Sequence, residues 1–100
     1  MSTIPSRPDV QAYMVLRGEE NAHSIALKMS EEMGEVAECV LKDWPEKLAH
    51  EIADVVICGL ILAEKYDIDV SQAVTEKWLI LQSRRGRVKN GIFVKEEDQK

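Results

Sequence analysis

At 100 residues, with 45% apolar and 31% charged side chains, the chain is long enough for one hydrophobic core and too short for two. Its formal net charge of −5 speaks against binding the phosphate backbone of nucleic acids, and two cysteines are too few for a disulfide framework. The start, MSTIPSRPDV, has no apolar signal-peptide region, and the longest apolar run, Val55 to Ala63, falls short of the roughly 20 residues that span a bilayer. A reduced, cytoplasmic protein without membrane or nucleic-acid partners is expected.

Residues 1 to 8 carry two prolines and two serines and read as an irregular lead-in. DVQAYMVLRGEE reads as a short helix ending near Gly18. From about Ala22, the residues Ile25, Met29, Met33, Val36 and Val40 recur every three or four positions, which is helical spacing. That helix stops at DWPE, because Pro45 disfavours helical geometry in Trp44 and suits the first turn of a new helix.

The next helix is expected over Pro45 to Lys65, burying Leu48, Ile52, Val55, Val56, Gly59 and Leu62. Beyond Glu51 it is apolar on nearly every face, so neighbours must cover it all round. Asp69 followed by Gln72 resembles a capping box and opens a last helix over Val70 to Ser83. Asn90-Gly91 is a turn signal in the closing segment, whose acidic end is expected to be mobile. The expectation is a single all-α domain over residues 1–100, with a core of about 22–85 and a C-terminal tail over 86–100. An antiparallel bundle of about four helices, completed by a second subunit, fits this pattern.

Carboxylates interrupt the two long helices. Glu35 and Glu51 lie eight residues either side of Asp43, and Glu32 and Asp54 lie eleven either side. In an antiparallel pair, equal offsets from the turn mean equal heights, with the two levels about 4.5 Å apart at 1.5 Å rise per residue. Carboxylates reaching inward from helices roughly 8–10 Å apart would converge. Such charges repel, and desolvation raises their pKa values unless cations are present. Oxygen ligands with no nearby Cys or His partner select Mg²⁺, Mn²⁺ or Ca²⁺. Asp54, flanked by Ala53, Val55, Val56 and Ile57, is expected to be buried, which separates this pattern from an ordinary solvated glutamate face. A di-iron or di-manganese bundle would need Glu-x-x-His, and neither His23 nor His50 follows a glutamate at that spacing.

With Glu31-Glu32-x-x-Glu35 followed after fifteen residues by Glu51-x-x-Asp54, the chain resembles the MazG-type nucleoside triphosphate pyrophosphohydrolases of the all-α NTP pyrophosphatase superfamily. EEMGEVAE and EIADVVICGLILAEKYDID match that pattern in spacing and in apolar surroundings, over about Ala22 to Arg85. The resemblance implies hydrolysis of (deoxy)nucleoside triphosphates to the monophosphate and pyrophosphate, in nucleotide-pool house-cleaning. It implies Mg²⁺, with Mn²⁺ as a substitute, bound by Glu32, Glu35, Glu51 and Asp54. Glu31 would be a further ligand or the residue that orients or deprotonates water, with Glu32 beside it in the catalytic set. Lys77 and Arg84 or Arg85 fit the family's phosphate-binding positions, although its asparagine has no match here. Lys28, one turn before Glu32, is a further candidate for phosphate, and Trp44 and Trp78 are candidates for base stacking. A homodimer or a dimer of dimers is implied as well. The reading from another class is a catalytically silent helical oligomer that docks a basic partner on its acidic patch.

Overall fold

The first helix begins earlier than the lead-in suggested. In the computed structural model, which describes residues 4–96, Ser6 caps α1 (Arg7–Arg17). The Ser6 hydroxyl accepts from the Asp9 N–H at 3.3 Å, and the Asp9 carboxylate accepts from the Ser6 N–H at 3.4 Å. This reciprocal box satisfies two amides that a helix start leaves without partners, and Pro8 sits in the same turn, where its missing N–H is harmless. Gly18 then leaves the helix at φ 99°, a backbone that a side chain would strain.

Asn21 opens α2 (Ala22–Leu41), its side-chain oxygen accepting from the Ser24 N–H at 2.8 Å. The helix ends in a left-handed residue, Asp43 at φ 54°. The Asp43 N–H reaches the Val40 carbonyl at 3.3 Å and the Trp44 N–H reaches the Cys39 carbonyl at 2.9 Å. That pair of bonds closes the helix and reverses the chain within three residues. Pro45 starts α3 (Pro45–Lys65), which ends the same way: Asp67 stands at φ 53°, with Ile68 N–H on the Ala63 carbonyl at 3.0 Å. The tight turn at Asp43 makes α2 and α3 an antiparallel hairpin, the main packing of the fold.

The described residues form two compact units that divide between Val70 and Ser71. In the first, Val10, Ile25 and Ile61 form the core, joined by Met14, Leu60 and Leu62. Arg7 fastens α1 to the end of α3 through Glu64 Oε2 at 2.8 Å and Asp67 Oδ1 at 2.7 Å, and Gln11 adds a bond to Glu64 Oε1 at 2.9 Å. Arg7, and then Gln11, hold the Glu64 carboxyl below its ordinary value. Ile25 is 2% exposed and sits where α1, α2 and α3 meet. Ile25→Ala is expected to cost about 2–5 kcal/mol of unfolding free energy, because so small a core has little with which to refill the cavity. Urea unfolding of the variant checks this.

Four residues expected in the core are not there. Met33, Val40, Ile52 and Val56 are 58%, 61%, 48% and 45% exposed. One short helix can shield only one side of the hairpin, so the other side keeps its apolar residues at the surface.

The second unit holds most of α4 (Val70–Ser83) and a hairpin of β1 (Gly86–Lys89) and β2 (Ile92–Lys95). The expected tail over 86–100 is therefore a β-hairpin as far as Lys95, with Gly86 opposite Lys95 and Lys89 opposite Ile92. Asn90 and Gly91 turn it with φ 51° and 77°, the two left-handed residues that a two-residue hairpin loop of this twist needs. Gly86 is compulsory for another reason: a Cβ there would strike the Val94 carbonyl oxygen and lie 2.6 Å from the Phe93 ring. The acidic end expected to be mobile falls largely on residues 97–100, outside the described residues. Apart from this hairpin the fold is all-α, and among the described residues no helix is long and apolar enough to cross a membrane.

Candidate metal centre

The α2–α3 hairpin brings Glu32, Glu35 and Glu51 together. One carboxylate oxygen from each lies within 4.8 Å of the other two. Glu32 and Glu35 are one turn apart on α2, and Glu51 meets them from α3, which runs back past them after the Asp43 turn. Glu51 is the one buried charged residue among those described, at 8% exposure.

The electrostatics record the crowding. The Glu51 carboxyl is pushed up to about 7, first by a shared hydrogen bond with Glu35, then by burial, then by Glu32. A proton held between two carboxyls relieves part of the repulsion. It leaves two buried oxygens, Glu32 Oε2 and Glu51 Oε2, with no hydrogen-bond partner. Orphaned buried oxygens are costly in a folded protein, and a cation would satisfy them.

The donor set fits a hard divalent ion. Two ligands of one ion lie at most about 4.2 Å apart for Mg²⁺ and about 5.2 Å apart for Ca²⁺, twice the usual metal–oxygen distances. Oxygens spread over as much as 4.8 Å therefore need only a small inward adjustment for the smaller ion.

Asp54 departs from expectation. It is exposed, and it does not belong to the group of three. Around this position the shielded residues of α3 are Leu48, Glu51, Val55 and Cys58, and Asp54 falls beside that stripe. It lines, together with Glu32 and Lys28, a groove of about 740 Å³ between α1, α2 and α3. Glu31 is exposed on α2. Trp44 stands at the hairpin turn with the Lys42 and Lys47 ammonium groups 4.8 Å and 5.2 Å from its ring, and it is not among the residues lining the groove. Lys77 and Trp78 are exposed on α4, and Arg84 and Arg85 follow that helix, all in the second unit.

Two further groove residues, Tyr13 and Arg17, carry no motif, and Cys58 lines the groove with them. Burial, then the Glu32 charge, pushes the Cys58 thiol up, away from the low pKa that activates a reactive thiolate. Tyr13 and Arg17 share a face of α1 by their i, i+4 spacing, a signal too common to single them out.

A helical hairpin that gathers carboxylates with orphaned oxygens beside an open groove defines a class: all-α domains with an acidic cluster between two helices. The sequence profile of the MazG nucleotide pyrophosphohydrolase domain matches residues 20–87, and the chain belongs to that family. The family generally depends on divalent metal ions, in keeping with the acidic cluster. No curated protein and no solved structure matches the chain significantly.

Proposed function

We propose that this chain hydrolyses (deoxy)nucleoside triphosphates to the monophosphate and pyrophosphate in nucleotide-pool house-cleaning, as a cytoplasmic enzyme that uses Mg²⁺ and accepts Mn²⁺. The observation that carries the reading is the pair of orphaned carboxylate oxygens, on Glu32 and Glu51, within the family's matched segment. Glu32, Glu35 and Glu51 would hold the ion, and Asp54 would complete its coordination from the groove side. A divalent ion so held neutralises triphosphate oxygens and acidifies a bound water.

The remaining work is positioning and charge. Lys28 lines the groove beside Glu32 and is proposed to meet a phosphate. Glu31 is proposed to orient water or accept its proton. Lys77, Arg84 and Arg85 are proposed as further phosphate contacts, and Trp78 or Trp44 as a base-stacking surface. The half-exposed Met33, Val40, Ile52 and Val56 support assembly into a homodimer or a dimer of dimers, since apolar patches of that extent seek cover.

Incubation with a panel of dNTPs and Mg²⁺, followed by pyrophosphate assay, is expected to show turnover. Asp54→Asn is expected to weaken divalent-ion affinity by roughly 10–100-fold, the usual scale for removing one supporting group at such a site. If no triphosphate is hydrolysed and the substitution leaves ion affinity unchanged, the acidic protein-interaction reading replaces this one.

A further inference from the structure

The family match starts at residue 20, so α1 lies outside it, yet α1 forms one wall of the groove that adjoins the acidic cluster. At about 740 Å³ the groove is within the roughly 300–1,000 Å³ typical of small-molecule sites. Whatever occupies it abuts Glu32 and Asp54 on one side. On the other it meets Tyr13 and Arg17, over a floor that includes Ile25 and Ile57.

Tyr13 and Arg17 are held as a pair. Arg17 Nη1 donates to the Tyr13 hydroxyl oxygen at 3.1 Å, its guanidinium carbon lies 5.8 Å from the ring centre, and Nη2 pairs with Glu20 at 3.5 Å. Each acidic residue of this wall already takes one partner, Glu20 from Arg17 and Asp9 from the Ser6 N–H. Beside them it offers a ligand a flat aromatic ring and donors, the Tyr13 O–H and the remaining N–H groups of Arg17. Arg17 is already paired with Glu20, which offsets part of its charge and leaves its remaining N–H groups for a neutral heterocycle.

We propose that α1 is the base-reading wall of the nucleotide site. Tyr13 packs against the nucleobase and Arg17 donates to carbonyl oxygens on its edge, so triphosphates of oxo bases (uracil, thymine, guanine, hypoxanthine) are preferred over those of adenine. The proposal rests on the reading of the acidic cluster as a triphosphate site.

The test is calorimetric binding of non-hydrolysable α,β-imido dUTP, dGTP and dATP to the full chain with Mg²⁺, paired with steady-state kinetics on the natural triphosphates. The wild type is expected to bind the oxo-base analogues roughly ten- to a hundredfold more tightly than the adenine one. Arg17→Ala and Arg17→Lys are expected to remove that preference by weakening the oxo-base analogues alone, seen in turnover as a raised KM with kcat kept. Tyr13→Phe, which removes the anchor of Arg17, is expected to do so in part. Leu16→Ala, on the same helix but off the groove, is expected to change nothing.

Uniform weakening of all three analogues by Arg17→Lys would make Arg17 a phosphate contact and overturn the proposal, as would no change at all. A wild type that hydrolyses triphosphates without regard to base defeats the base-reading wall and leaves the activity standing. One that neither binds nor hydrolyses any of them defeats both.

Discussion

Glu51→Gln is expected to lower pyrophosphohydrolase activity by roughly 10²–10³-fold, the scale of losing one charged group that stabilises a transition state, while raising the melting temperature of the metal-free protein at pH 8. Both effects have one source. The Glu51 carboxyl titrates at about 7 in the folded protein against 4.5 ordinarily. The folded state therefore binds this proton more tightly than the unfolded state does. The stability it contributes is fully present below pH 4.5 and drains away as pH rises from there to 7. At pH 8 the ionised group is buried beside Glu32 and Glu35 and opposes folding.

An amide of the same shape carries no charge, and it donates to the neighbouring carboxylates instead of repelling them. The variant's stability should accordingly lose this component of pH dependence between 4.5 and 7. Thermal unfolding in EDTA at pH 5.5 and pH 8, beside a pyrophosphate assay, makes the comparison. A variant less stable than wild type at pH 8 would mean that Glu51 is a structural hydrogen-bonding group and not a strained ligand. The pattern is a site whose folding cost is offset only when its ion arrives.

Divalent-ion affinity is expected to rise with pH up to about 7 and to level off above it, because the ion must displace the proton that Glu51 shares with Glu35. Below that point each unit of acidification should weaken binding by up to about tenfold, the limit for one displaced proton. Titrating Mg²⁺ or Mn²⁺ at pH 6 in two buffers of different ionisation enthalpy should reveal close to one proton released per ion. At pH 8 the release from this group should vanish. Equal affinities at pH 6 and pH 8, with no proton released, would mean that the ion binds elsewhere.

Much of this was legible before any coordinates. Pro45 placed the start of α3, and the apolar spacing from Ile25 onward placed α2, because caps and 3.6-residue periodicity are local properties. The equal offsets of Glu35 and Glu51 from Asp43 predicted that they would meet, and the left-handed turn at Asp43 is what makes those offsets equal heights. Arg7 was misread as part of a lead-in because Ser6 and Asp9 form their capping box beside two prolines, which read as loop. The closing segment carried its turn in Asn90-Gly91, yet its short strands, with both faces open, lack the alternation that marks a half-buried strand.

The sequence by itself determined where α2, α3 and α4 begin and end and that Glu35 and Glu51 share a height, since each depends on residues a few positions apart. Only the tertiary structure decided which faces are covered. Asp54 is exposed although its neighbours in the chain are apolar, because its burial depends on what packs across from it. Tyr13 and Arg17 came to face Glu32 because the Arg7–Glu64 clamp and the Val10–Ile25–Ile61 core lay α1 along the groove, contacts between residues distant along the chain.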